Sequence, residues 1–411
     1  MTHLFVFSHR RWDDVYQRAQ HLMSRLARHY HVVFVEEPVP GAGPARLDVL
    51  SRLAGLDVLR PRTPVAAPGF HDDQLAVLRP LLAEYLRRQR IDDYLAWFCT
   101  PLPLPLIAGL RPRMVVYDCV DALSASRKAP PQWRRRESVL LRIAALVFTG
   151  GPSLYEAKRR LNPHVHCLPS AVDAPHFSPA GLADGKLAAR AARLLGPVGA
   201  PRFGFCGVID ERLNVDLLER VARRRPEWHF VMVGPVARID PATLPRRDNI
   251  HWLGRQSYAC LPYLMASWDA CLIPFVRDES TRFVNPTKTL EYLAAEKPVI
   301  STSIDDVIAI HSDVVLVADG IEAFIAACEK ALHGGRERDG RLAAMRSAVS
   351  RFSWDACAHV VHRLIANELA QSQAAHDALR GSRTVLRALV AVSEGARPAH
   401  ALPACAGAFA V

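Results

Sequence analysis

Short apolar runs of strand length alternate with longer runs of helical period twice over in this chain, and few architectures accept that order. Residues 2–8 read as a strand, and 14–28 as a helix with Val15, Leu22, Met23 and Leu26 on one face. Residues 32–36 form a second strand, stopped by the proline- and glycine-rich stretch 38–44. Strands follow near 57–60, 94–98, 113–118 and 145–149, with helices near 72–89, 131–144 and 152–161. Residues 169–201 lose the period and gather Pro, Gly, Ala and Asp, the composition of a linker. The pattern then restarts with a strand at 202–207 closing on Gly207 and a helix at 212–224. Strands at 228–234 and 250–253, a helix at 257–267, a strand at 269–275, a helix at 286–295 and a strand at 298–301 complete the second array. Such alternation predicts parallel sheets covered by helices on both faces. The expected organisation is a Rossmann-like domain over 1–168, a linker over 169–201 and a second Rossmann-like domain over 202–352. A closing helix over 353–371 and a partly mobile tail over 372–411 follow.

A length of 411 residues exceeds what one hydrophobic core usually serves, which agrees with two domains. Hydrophobic residues make up 50% and charged residues 23%, so the chain is globular rather than disordered. The 52 basic residues outnumber the 41 acidic ones for a net charge of +11, and only six of the 52 are lysine. Arginine suits phosphates or anionic headgroups, although genome composition alone would give the same excess. These arginines are dispersed, not striped among aromatics, which argues against nucleic acid as a partner. No run of 18 apolar residues exists, so no transmembrane helix is expected, and the start lacks the basic residues of a signal peptide. Nine cysteines without a C-x-x-C pair read as reduced thiols of a cytoplasmic protein, not as structural zinc ligands.

Residues 274–300 carry the most specific signal. Asn285 is a good N-cap and Pro286 a good first-turn residue, so a helix should begin there. Its first turn would offer free N–H groups and the positive end of the helix dipole. Lys288 stands beside them, with Glu291 one turn on along the same face. That arrangement matches a ribosyl diphosphate, phosphates on the cation and ribose hydroxyls on the carboxylate. Spacing alone also fits an ordinary surface Lys/Glu pair. Asp118 ends the strand at 113–118 and Asp121 lies just past it, at a carboxyl end that would face the cleft, where an Asp can also simply cap a turn.

This segment resembles the donor-binding helix of the GT-B glycosyltransferases, in the large retaining, family-4-like group (glycosyl transferases group 1). The pattern P-x-K-x-x-E-x-[LM]-A-[AS]-x-K-P-V is matched by Pro286, Lys288, Glu291, Leu293, Ala294, Ala295, Lys297, Pro298 and Val299. Residues 249–254 are similar to the family's N-V-x-[FW]-L-G strand, and 168–173 to its I-P-N-G-V-D segment. The opening, residues 7–13 with 17–22, looks like a subgroup linked to bacterial cell-surface polysaccharide genes.

The resemblance implies a GT-B fold, in the α/β class: two doubly wound parallel-sheet domains face a central cleft, and the last long helix crosses back to the first domain. It implies transfer of a sugar, with retention, from a nucleoside-diphosphate sugar (UDP before GDP) to a saccharide or lipid-linked acceptor. Gly207 and Arg212 stand where the family has a glycine-ended strand and a phosphate-binding arginine. Arg212 and Lys288 would stabilise the departing diphosphate, and Asp118 and Asp121 would face the donor sugar. The implied donor contacts are Gly207, Arg212, Arg255, Glu279, Asn285, Lys288 and Glu291. His9, Arg11, Trp12 and Arg18 would meet the acceptor. No D-x-D triplet occurs, so neither a metal at the phosphates nor a cofactor besides the donor is expected.

Three departures from the family pattern stand out. The first glutamate of its E-x7-E falls on Phe283, and Asp278, Glu279 or Asn285 would have to replace it. The glycine before K-P-V is Glu296, which costs about 1 kcal/mol if that position needs a positive φ. The first loop lacks a G-G pair, for which Ser8-His9 and Arg18 are the substitutes at hand. Trp12 and Trp133 each adjoin arginines, and the basic, apolar helix after Gln132 fits an anionic membrane surface as well as a solvated face. The rival readings are a catalytically degenerate sugar-nucleotide-binding relative and a GT-B-shaped sugar-nucleotide epimerase.

Overall fold

The computed structural model describes residues 1–120, 131–333 and 338–395, with side chains as far as 374. Asp121, Cys405 and the end of the tail lie outside the described residues. Both sheets belong to one compact unit, Met1–His362, and the residues from Arg363 onward form a second unit.

The first sheet is built from β1 (His3–Phe7), β2 (His31–Val35), β3 (Val39–Pro40), β4 (Arg46–Leu53), β5 (Leu56–Thr63), β6 (Tyr94–Phe98), β7 (Met114–Cys119), β8 (Leu146–Thr149) and β9 (Val165–Cys167). Its helices are α1 (Arg18–Leu26), α2 (Asp72–Gln89), α3 (Pro131–Ile143) and α4 (Pro152–Lys158). The strand order is β3-β5-β2-β1-β6-β7-β8-β9, all parallel, with β4 folded antiparallel onto β5. The second sheet holds β10 (Arg202–Cys206), β11 (His229–Val233), β12 (Ile250–Gly254), β13 (Ala270–Ile273), β14 (Val299–Ser301) and β15 (Val315–Val317), in the order β12-β11-β10-β13-β14-β15. With it go α5 (Ala174–Phe177), α6 (Gly185–Leu195), α7 (Val215–Arg224), α8 (Leu261–Ala266), α9 (Thr287–Ala294), α10 (Asp305–His311), α11 (Ile321–Leu332) and α12 (Arg338–Ser350). In each sheet the chain winds outward in both directions from its first strand. The order reverses between β1 and β6 and between β10 and β13, and doubly wound sheets bind ligands at the carboxyl ends beside such switch points. This is the GT-B arrangement.

Continuous apolar strands make this possible, because a parallel sheet is covered on both faces. Phe5, Phe7, Val33, Val35, Ala96 and Phe98 enter one core, and Val231, Val233, Cys271 and Ile273 another. Gly204 sits mid-strand because a Cβ there would lie 2.0 Å from the Trp268 ring.

The segment expected to be a linker is part of the second domain. It contains α5 and α6, and Phe177, Ala191 and Leu195 are buried in that domain's core. Asp184 caps α6 by accepting from the Lys186 and Leu187 amides. The first helix is shorter than its period suggested, because Gln20 holds the 11–15 backbone in a loop through bonds to the Arg11, Trp12 and Val15 carbonyls. The last helix, α13 (Trp354–Gly395), begins against α1 of the first domain. There Trp354 stacks on His21 with ring centroids 4.9 Å apart, and Asp355 pairs with Arg25 at 3.1 Å.

Candidate functional site

Three glycines line the carboxyl edge of the second sheet. The Gly207 amide donates to the Val233 carbonyl and the Gly234 amide to Gly254, and a Cβ on Gly234 would lie 1.7 Å from the Gly207 oxygen. Only glycine lets the loops after β10 and β11 close this tightly. Beside them Asp210, 1% exposed, accepts from the Arg212 amide (3.1 Å), Nε (3.0 Å) and Nη2 (2.7 Å) and from Arg238 Nη2. Burial works against its charge, but these arginines outweigh it and hold the Asp210 carboxyl below the usual range. Arg238, at φ 65°, takes a backbone conformation that a non-glycine residue seldom adopts. Asp210 and Arg238 were not singled out from the sequence, since neither matches a motif.

Helix α9 supplies the other half. Its Lys288 Nζ lies 2.5 Å from Glu291 Oε2, with both side chains mostly covered. Burial opposes the lysine's charge, but Glu291 more than compensates and raises the ammonium above its ordinary value. Four residues on from Lys288, Tyr292 is buried, and its hydroxyl accepts the Cys206 amide at 2.7 Å. That bond fastens α9 beneath the end of β10, so Lys288 and Arg212 belong to neighbouring carboxyl ends of one sheet. The helix starts one residue later than expected. Pro286 is the N-cap, and no side chain caps it. Asn285 does not cap α9: its Nδ2 donates to the Gly150 carbonyl at 2.9 Å, across to the first domain. Phe283 packs against the core of the first sheet, so the residue at the family's first glutamate position is an apolar contact. Glu279 is exposed and 3.7 Å from Arg282, and Arg255 is exposed just after β12. The Glu296 position does take a positive φ, 57°, and its carboxylate pairs with Arg346 at 2.7 Å.

On the first domain, Arg18 and Asp118 spend their charges on each other. Arg18 Nη2 lies 2.9 Å from Asp118 Oδ1, and Nη1 donates to the Leu168 carbonyl at 2.8 Å. Both residues are at least 95% covered, so the pair ties α1 to the ends of β7 and β9 and presents no open charge to a ligand. Trp12 is also buried: its amide donates to Glu36 Oε1 at 2.7 Å and its ring meets Phe34 edge-on. Its indole is therefore not on a membrane-facing surface. Arg11 stands 4.0 Å from Glu36, and His9 is half-buried just past the end of β1. His21, Tyr16, Tyr258 and Trp354 form an aromatic cluster beside Lys288 and Glu291. Burial first, then Glu291 and Asp173, pushes the Tyr258 hydroxyl well above its ordinary value. Among the described residues no group of three or more His, Cys, Asp or Glu is placed to hold a metal.

Residues 200–334 match the family described as Glycosyl transferases group 1, which covers the glycine edge, Arg212 and α9. A protein of Bacillus subtilis (strain 168), named as a teichuronic acid biosynthesis glycosyltransferase, TuaH, is 29% identical over 275 residues, 62% of this chain and 67% of that one. Among solved structures, sucrose-phosphate synthase from Thermosynechococcus elongatus superposes with a TM-score of 0.71 at 16% identity, over 90% of this chain and all of that one. A UDP-forming trehalose-phosphate synthase from Burkholderia xenovorans gives 0.66 at 13% identity, over 89% and 99% of the chains. HepE of Anabaena, solved with UDP-glucose, gives 0.65 at 14%, over 89% and 100%. These likenesses run through both sheets and define the fold as GT-B.

Proposed function

We propose that this chain is a glycosyltransferase acting in cell-surface polysaccharide synthesis. It moves a sugar from a nucleoside-diphosphate sugar, UDP in preference to GDP, to a saccharide or lipid-linked acceptor. The observation that carries this reading is the Lys288–Glu291 pair on α9, fastened by Tyr292 under the end of β10. The family match over 200–334, the name of the Bacillus relative and the UDP-glucose held by HepE support it.

In this reading the diphosphate lies against the start of α9, where no side chain occupies the first-turn amides. Lys288 and Arg212 meet the charge that grows on the leaving phosphate, so no metal is needed there. Asp210 keeps the Arg212 guanidinium in one orientation, and Glu291 accepts the ribose hydroxyls. The acceptor hydroxyl attacks the anomeric carbon on the face the diphosphate leaves. The carbon–phosphate-oxygen bond breaks, the new glycosidic bond forms, and the hydroxyl proton passes to the departing diphosphate. Retention follows. The acceptor approaches from His9, Arg11 and the loops of the first sheet.

Helix α3 supports attachment to an anionic cytoplasmic membrane face. It exposes Arg134, Arg135 and Arg142 together with Val139 and Ile143, 39% and 48% exposed. No helix among the described residues is long and apolar enough to cross a membrane. Phe283 favours a second reading, a sugar-nucleotide-binding relative without turnover, because the family's sugar-contacting glutamate is missing.

The deciding experiment incubates the protein with UDP- and GDP-sugars and bacterial membranes carrying lipid-linked saccharides. Nucleoside diphosphate release with an α-linked product from an α-linked donor supports retaining transfer. An inverted product refutes retention. Nucleotide binding without release supports the second reading.

A further inference from the structure

The turn after β8 shows an unusual division of labour between the two domains. Gly151 stands at the N-cap of α4 with an extended backbone and no side chain to cap it. The open Ser153 amide donates instead to Asp306 Oδ1 at 2.8 Å, and Asp306 belongs to α10 of the other domain. Asp306 is 1% exposed, and its Oδ2 has no hydrogen-bond partner. A Cβ on Gly151 would lie 1.8 Å from that Oδ2 and 3.0 Å from the Asn285 Cβ. Glycine is therefore required here by the opposite domain, not by its own backbone angles. Three more contacts converge on the same place. Asn285 Nδ2 donates to the Gly150 carbonyl at 2.9 Å, Ser170 Oγ donates to the Asn285 carbonyl at 3.3 Å, and Phe283 packs on the first-sheet core, as does Tyr155 of α4.

We propose that Asp306 is an interdomain clasp: it caps the first domain's α4 from the second domain and sets the gap between them at the donor helix. The segment that meets the turn before α4 and the first-sheet core, residues 283–285, runs directly into α9, so the spacing of the first domain from Lys288 is fixed through the same few residues. An ordinary N-cap serine at 151 would stabilise α4 from within its own domain, with no help from the second. Gly151 with Asp306 makes the helix whole only when the domains are together. The inference rests on the donor reading for what the gap encloses, but the clasp itself is a matter of structure.

The test compares wild type, Asp306→Asn, Asp306→Ala and the double variant Gly151→Ser/Asp306→Ala by thermal unfolding, small-angle scattering and UDP titration. Asp306→Asn retains an acceptor oxygen and should scatter as wild type. Asp306→Ala should melt several degrees lower and show a radius of gyration larger by about 1 Å or more, as expected of hinge opening. The double variant, with its cap restored within α4, should regain the melting temperature and keep the larger radius. UDP affinity should stay within about twofold of wild type in all three, because the nucleotide contacts belong to the second domain. A folded double variant with the wild-type radius overturns the clasp and leaves Asp306 a cap and nothing more. Loss of UDP binding by wild type, with the radius difference intact, instead removes the donor reading and leaves the clasp standing.

Discussion

Arg18 and Asp118 form a covered ion pair, 2.9 Å from Nη2 to Oδ1, between residues a hundred positions apart. The pair joins the start of α1 to the end of β7, and a further Arg18 bond, to the Leu168 carbonyl, reaches the place where the chain leaves the first domain. Burial opposes the guanidinium's charge, yet Asp118 raises its proton affinity above the ordinary arginine value. Removing one partner strands the other charge away from water, which costs about 3–5 kcal/mol.

Asp118→Asn is accordingly expected to lower unfolding stability by about 3 kcal/mol or more in urea titration. A purely catalytic Asp118 would leave the urea midpoint where it is.

His21 makes acid stability readable. Burial first, then Arg25, Lys288 and His176, lowers its pKa from 6.5 to about 3. The folded protein therefore holds His21 neutral, while the unfolded chain takes up its proton near pH 6.5. The stabilisation is complete above that pH and is lost as pH falls from 6.5 toward 3, to a total on the order of a few kcal/mol. His21→Phe keeps a ring against Trp354 and should flatten the decline of melting temperature across that window. His311, lowered to about 4 chiefly by burial, leaves a residual slope.

Glu296 offers a gain. It occupies the left-handed position after α9, where the Glu296 amide bonds the Leu293 carbonyl and the Lys297 amide the Tyr292 carbonyl. Glu296→Gly relieves about 1 kcal/mol of backbone strain and gives up only an exposed pair with Arg346, so the urea midpoint should rise. A lower midpoint would mean that the ion pair outweighs the strain.

Most strands are legible in the sequence because β1, β2, β6, β7, β8, β10, β11 and β13 are buried on both faces and stand out as apolar runs. The β4–β5 hairpin was half hidden, since β4 is an edge strand of charged and exposed residues, its Val49 half-exposed among Arg46, Asp48 and Arg52. Helix α6 was missed because alanine and arginine blur the period that Ala191 and Leu195 carry. At the site, the Lys288/Glu291 spacing was legible because one helical turn brings those residues together. Asp210 with Arg238, and Asp306 with Gly151, were not, because their partners come from different loops or a different domain. Local spacing carries no record of such meetings. Asn285 illustrates the limit: its cap propensity was read correctly as chemistry, but the amide found the Gly150 carbonyl across the domains.

Whether Lys288 and Glu291 hold a nucleoside diphosphate is read by calorimetric titration. UDP and then GDP are titrated into wild type, Lys288→Ala and Glu291→Ala, with melting temperatures as the control for folding. Wild type should bind UDP with micromolar affinity, weakened at least about tenfold in each folded variant by the loss of a charge-assisted contact. Undiminished binding in both variants, or no binding of either nucleotide by the folded wild type, would contradict the donor reading.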